Sequence, residues 1–284
     1  MHIVINSIET YSEQSSKRLR RGIEKFEAEA WLDLYASASE KIQKDLGLKV
    51  IPLEYSFAAI IPSVDIIALN RIIGLGLNKP FGKTTLEELK NILIENNVKR
   101  FFVQLHPDAQ PDNSYELLEG SSFIYYNNWI KFHRYNSPSH KFNTGFLIKE
   151  IDKPEADIFA KILLHNFGWP DVLHPWIAGT VGRNHWKHYI AYDGSIPVAT
   201  AMLFVKGNYA WLGFGSTLPE YRGKGIQSAL LAKRIEDCRE LGVKELILET
   251  ADDKPGIHSV SKRNAVRAGF EITYIRPNFL YKTE

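Results

Sequence analysis

The chain has 284 residues, long enough for two domains or one large one, and its 35 basic side chains nearly balance 33 acidic ones. That near-neutrality leaves no electrostatic footprint for a nucleic-acid backbone or an anionic membrane as the main partner. The single cysteine, Cys238, excludes an internal disulfide and falls on the apolar side of a predicted helix, where it packs.

The N-terminus carries Asn6, Glu9, Glu13 and a basic cluster from Lys17 to Arg21, unlike a signal peptide. A long helical segment is predicted from Glu13 to Leu46. The longest apolar stretch, Phe57 to Leu77, contains Pro62, Asp65, Asn70 and Arg71 and is too interrupted to span a bilayer. These features predict a soluble, cytoplasmic protein. Within that stretch, Ser56 to Ile61 and Asp65 to Leu77 read as strands. Thr84 and Thr85 precede Glu87 and Glu88 by three residues each, the pattern of a capping box at a helix start. A strand at Arg100 to Leu105, a short helix near Tyr115 to Glu119 and an apolar run at Phe123 to Tyr135 follow.

Turn-forming residues between 136 and 145 interrupt the apolar pattern and mark the most probable domain boundary. The expected domains are 1–138 and 146–284. Beyond a loop at Gly168 to Arg183 comes a strand, Trp186 to Tyr192. Residues 219–228 then read Pro-Glu-Tyr-Arg-Gly-Lys-Gly-Ile-Gln-Ser, a glycine turn that follows a strand and opens an amphipathic helix bearing Leu231, Ile235, Cys238 and Leu241. Gly223 and Gly225 can adopt positive φ and bring amides close to an anion, while the free amides at the helix start supply the rest of a phosphate cradle. Arg222 and Lys224 add positive charge. A nucleotide P-loop and a dinucleotide fingerprint both require other spacings, which are missing. After the helix come a strand at Glu245 to Thr250, a helix from about Ser259 that ends at Gly269-Phe270, and two predicted closing strands, Ile272 to Ile275 and Phe279 to Lys282.

The turn and its surroundings resemble motif A of the GNAT superfamily of acyl-CoA-dependent N-acyltransferases. That pattern is Gln or Arg, two residues, Gly, one residue, then Gly or Ala; here Glu220, Gly223 and Gly225 stand at those positions. Glu220 departs from the first, and Gln227 replaces a residue that is often small. The resemblance covers about residues 146–284 and implies a mixed α/β fold, a twisted and mostly antiparallel sheet flanked by helices and opened by one splayed parallel strand pair. The first half repeats the same element order at a separation of roughly 140 to 150 positions, which predicts two GNAT-like halves in tandem. Its own string, Arg71-Ile72-Ile73-Gly74-Leu75-Gly76, fits the glycine spacing, yet the expected helix begins some eight residues later, beyond Pro80. Gly74 and Gly76 therefore read as the end of a strand in a degenerate half, with a separate nucleotide-like ligand there as the alternative.

The resemblance also implies roles. Acetyl-CoA is the expected co-substrate, with Thr217 and Leu218 bonding its pantetheine arm. Its pyrophosphate is expected on the amides of Arg222, Gly223, Lys224, Gly225 and Ile226, with Gln227 and Ser228 close by. An amide near Ser216 or Thr217 is the expected oxyanion donor. Glu249 stands where some protein N-acetyltransferases place a base; a solvated strand-edge carboxylate is the other reading. Where many members carry a tyrosine acid this chain has Ala265, and Asn264 beside it can bond the cofactor but cannot supply a proton.

The acceptor site is expected in the loop from Gly168 to Arg183, which holds Trp169, Asp171, His174 and Trp176: the indole faces can attract a cationic amine and Asp171 can pair with it, while tryptophans packed under the helices and Asp171 capping the second helix are the plain alternative. His185 and His188 stand three apart but have no acidic or cysteine partner at ligand spacing, so no metal is expected. Two functions remain: an N-acetyltransferase acting on a primary amine, with a small molecule as the expected acceptor, or a non-catalytic acyl-CoA-binding module. A tRNA-dependent aminoacyl transfer enzyme is disfavoured by the intact phosphate turn and the balanced charge.

Overall fold

The computed structural model of the protein describes residues 2–54, 56–138, 144–253 and 255–283, with side chains from residue 13 onward. The predicted long helix is two helices. Helix α1 (His2–Ala36) ends before Ser39, whose hydroxyl accepts from the Ile42 amide and caps α2 (Glu40–Leu46). There follow β1 (Lys49–Leu53), β2 (Ser56–Ile60), β3 (Arg71–Ile73), α3 (Lys83–Glu95), β4 (Arg100–Gln104), α4 (Ser114–Glu119) and β5 (Ile124–Tyr135). Helix α3 starts at Lys83, so Thr84 and Thr85 lie inside its first turn rather than before it. The Thr85 hydroxyl accepts from the Gly82 amide at 3.5 Å.

The second half contains β6 (Leu147–Ile151), α5 (Ala156–Phe167), α6 (His174–Gly179), β7 (Trp186–Asp193), β8 (Ile196–Lys206), β9 (Tyr209–Thr217), α7 (Ile226–Glu240), β10 (Glu245–Ala251), α8 (Val260–Arg267) and β11 (Glu271–Lys282). Apart from β6, it matches the first half element for element. The two expected closing strands are the single strand β11, irregular between Ile272 and Tyr274 and between Asn278 and Phe279. Pro277 lies beside the second irregularity, where a sheet tolerates a residue without an amide hydrogen.

All strands join one sheet in the order β1-β2-β3-β4-β11-β5-β10-β9-β8-β7-β6. Only β3–β4 and β9–β10 are parallel. Each half lodges its last strand in the other's sheet: β11 pairs with β4, and β5 pairs with β10. Strands β5 and β11 then pair with each other at the centre. The two halves thus repeat one order of elements and share one sheet. Of the residues expected to divide them, 139–143 lie outside the described residues.

Helices α1, α2, α5 and α6 pack one face of the sheet, while α7 with α8 and α3 with α4 cover two patches of the other. Helix α1 crosses into the second half. Phe26 meets Phe204 at 5.6 Å, Trp31 meets Trp211 at 6.0 Å, and the Trp176 indole donates to the Leu34 carbonyl at 3.0 Å. The first half therefore roofs part of the second half's sheet, beside the strands that form the site.

Candidate coenzyme and acceptor site

Strands β9 and β10 pair only at their beginnings, from Tyr209 with Glu245 to Trp211 with Ile247. Beyond that point β10 follows β5, with Glu249 opposite Lys131, while β9 follows β8, with Ser216 opposite Thr200. A bulge between Thr200 and Met202 bends β9 away, and its Phe214 takes the left-handed φ of 51°. The two strands splay, and beyond Trp211 and Ile247 their facing edges no longer form a ladder.

At the end of β9 the chain makes a short turn at Pro219–Tyr221 and reaches Gly223 and Gly225, at φ of 78° and 79°. Gly225 begins α7 with no side-chain cap. The amides of the 15-residue helix's first turn have no intrahelical acceptors and stand at the positive end of its dipole. Around this cradle Gln227 donates to the Thr217 hydroxyl at 2.7 Å, and Arg222 donates to the Thr217 carbonyl at 3.2 Å. A Cβ on Gly215 would lie 2.7 Å from the Gln227 Oε1, so a larger residue there would displace the Gln227 amide from its present position. The Lys224 ammonium sits 4.6 Å from the Tyr221 ring centroid, beside the turn.

Residues 155–261 match the model of the acetyltransferase (GNAT) family. This region is a GNAT domain. Structural likeness extends well beyond it. A GCN5-related N-acetyltransferase from Kribbella flavida superposes with a TM-score of 0.63 at 13% identity, over 90% of this chain and 95% of that one. One from Sphaerobacter thermophilus gives 0.61 at 14%, over 86% and 85%. A tandem GNAT protein from the clavulanic acid biosynthesis pathway gives 0.56 at 12%, over 80% and 78%. At such identities these likenesses speak for the fold, and the chain as a whole has the tandem GNAT fold. No curated protein sequence matched the chain.

Within the GNAT domain, the two residues expected to hold the pantetheine arm are partly engaged already. The Leu218 amide donates to the Val198 carbonyl at 2.9 Å, and the Thr217 carbonyl accepts from Arg222. Asn264 is half-buried on α8, with no side-chain partner among the described residues.

Glu249 belongs to a buried ionic network. Its carboxylate accepts from Lys131 at 2.6 Å and from Arg276 at 2.7 Å, and Arg71 lies 3.7 Å away. Lys131 also bonds Glu27, and Arg276 bonds both Glu24 and Glu27. Burial pushes the Glu249 carboxyl up, but Lys131, Arg276 and Arg71 together outweigh it and bring it down to about 2. Burial likewise draws the Lys131 ammonium down to about 8 against the pull of the neighbouring carboxylates. At neutral pH both ions are charged.

The acceptor side differs from expectation. Trp176 is fully buried beneath α1 and cannot face a ligand, because its ring completes the core and its N–H is bound to Leu34. His174 sits 3.3 Å from the Asp157 carbonyl, beside the start of α5. At 1.5 Å rise per residue that is about 14 Å from Asn166, near the end of α5 that meets the bulge. Asp171 is exposed in the intervening turn. Trp169 does reach the bulge: with Phe167, Trp31 and Trp211 it surrounds Phe214 at centroid distances of 5.7 to 6.3 Å. Beside them Asn166 donates to the Ser216 hydroxyl at 3.1 Å, which in turn contacts the Thr200 hydroxyl at 2.7 Å. Phe214 and Asn166 were not predicted. The signal for Phe214 was present, since glycines flank it inside a strand, a common mark of a bulge.

The first half's glycine turn is closed. Gly74 and Gly76 have φ of 84° and 78°, but the Gly76 carbonyl accepts from the Gln110 amide at 2.8 Å, and a Cβ there would lie 2.8 Å from the Gln110 carbonyl oxygen. The loop before α4 fills the place a phosphate would need. His185 bonds the Val205 carbonyl, and His188, held neutral by burial, bonds Thr180 in the core. Among the described residues there is no cluster of three or more His, Cys, Asp or Glu that could hold a metal, and no helix is long and apolar enough to cross a membrane.

Proposed function

We propose that the protein is an N-acetyltransferase that moves an acetyl or short acyl group from acetyl-CoA to a primary amine of a small molecule. The observation that carries this reading is the pair of left-handed glycines, Gly223 and Gly225, opening α7 beside the splay of β9 and β10. The amides of residues 222–226, with Gln227 and Ser228, would hold the pyrophosphate. The pantetheine arm would lie between the splayed strands along Thr217 and Leu218 toward Asn264. An amide near Ser216 would donate to the thioester oxygen, where such a donor typically contributes on the order of 3 kcal/mol to transition-state stabilisation.

The acceptor amine would enter over Trp169 and Phe214, whose faces favour a cation before it loses its proton. Direct attack by the neutral amine forms the new C–N bond and breaks the C–S bond. Glu249 is poorly suited to take the proton. Its conjugate acid near 2 lies about eight pKa units below a free alkylammonium, roughly 11 kcal/mol uphill. Solvent is the better acceptor for that proton. The leaving thiol, ordinarily near 8.5, departs partly as thiolate and so tolerates the absence of a tyrosine at Ala265.

That absence and the ion-paired, weakly basic carboxylate of Glu249 favour a second reading, an acyl-CoA-binding module without turnover. A thiol-release assay over a panel of small primary amines separates the two. Release dependent on one amine supports the transferase, whereas saturable acetyl-CoA binding with no release for any amine supports the binding module.

A further inference from the structure

The first half keeps a crevice of about 250 Å³ between α1 and the ends of β2 and β3. It is the counterpart of the second half's acceptor side, since β3 and β9 stand at equivalent places in the two halves and each has a parallel neighbour. Its coenzyme end is shut by the contact of Gly76 with Gln110. What remains is a chamber without a cofactor channel, suited to holding a ligand rather than transforming one.

Its polar wall is formed by Arg21 and Lys25 of α1 with Ser56 of β2, and its apolar wall by Phe57 and Ile73, which face α1. One guanidinium edge of Arg21 donates to the Leu77 carbonyl, but its Nε–H is buried with no acceptor among the described residues. A buried donor left unmatched is costly, more so on a charged group. Glu24 also lines the crevice, but its carboxylate is committed to Tyr274 at 2.6 Å and Arg276 at 3.0 Å. The cations facing the chamber are therefore uncompensated from within. At ~30 Å³ per water the volume equals about eight water molecules, room for an acid of about eight non-hydrogen atoms.

We propose that this crevice binds a small monocarboxylate with a short apolar tail, its carboxylate against Arg21 and Lys25 and its tail against Phe57 and Ile73. The site is separate from the coenzyme cradle and stands whether or not the transferase reading holds. The test is calorimetric titration of the full chain with sodium hexanoate, with hexylamine as a cation of equal carbon number. Arg21→Gln and Lys25→Gln are titrated alongside. Lys25 is exposed, so its variant keeps the fold even if Arg21→Gln does not. The expected result is saturable hexanoate binding weakened at least tenfold by Lys25→Gln, with no hexylamine binding and unchanged acetyl-CoA affinity. Absence of saturable hexanoate binding, equal affinity in the Lys25 variant, or equally tight hexylamine binding overturns the proposal.

Discussion

The guanidinium of Arg276 donates to the carboxylate of Glu27 at 3.2 Å across 249 positions of sequence, and both side chains are fully buried. The contact keys α1 to the central strand β11. Around it three carboxylates, of Glu24, Glu27 and Glu249, meet three cations, of Arg71, Lys131 and Arg276. Such a balanced cluster fixes geometry more than it adds net stability, but removing one member leaves its partners charged and unmatched. Arg276→Met is expected to destabilise the protein by about 3 to 5 kcal/mol in urea unfolding. A loss below 1 kcal/mol would show that water reaches the cluster and screens it.

Acid should act through the same carboxylates. Glu24 and Glu249 are both held below the ordinary 4.5, Glu249 at about 2, with burial opposing and the cations prevailing. Their stabilisation is fully present above about pH 4.5 and is lost as pH falls toward 2, because the unfolded chain takes up protons first. For Glu249 the gap corresponds to an effect of order 3 kcal/mol. The stability difference between the parent and Glu249→Gln should therefore shrink between pH 4.5 and pH 2. A constant difference over that range would place the charge effect elsewhere.

Glu249→Gln also tests the chemistry. A carboxylate that titrates near 2 contributes no ionisation to the pH profile of kcat/KM between 5 and 9, so that limb should keep its midpoint in the variant. A midpoint near neutral that disappears with Glu249 would restore it as the base.

The aromatic cluster at the bulge predicts a binding effect. Trp169→Ala removes one face beside Phe214, and a cation–π contribution of about 0.5 to 2 kcal/mol corresponds to roughly a two- to thirtyfold rise in KM for a cationic acceptor. Turnover at saturation should change little. An equal fall in kcat with unchanged KM would remove Trp169 from the acceptor wall.

The glycine turn before α7 was legible because positive φ leaves a residue-level trace: Gly223 and Gly225 sit where a side chain would strain the backbone. The element order was legible for the same local reasons, helix period and turn residues. The exchange of β5 and β11 was not, since which strand neighbours which is decided by pairings far apart in sequence. Glu24 and Glu27 look like an exposed helix face until α1 is laid on Lys131 and Arg276, two cations on strands whose burial no periodicity reveals. Trp176 and Trp169 share a loop region and a chemistry, and only packing separates the fully buried ring from the partly buried one.

Calorimetric titration of acetyl-CoA into the parent protein and Gly225→Glu tests the central claim most directly. Gly225 has φ of 79° and its would-be Cβ lies 3.2 Å from the Thr144 methyl, so a glutamate there both crowds the turn and sets a negative charge at the anion cradle. The account predicts saturable binding by the parent and none by the variant, with the variant's urea midpoint showing a folded protein. Equal affinity in the two proteins, or no binding by the parent, would contradict it.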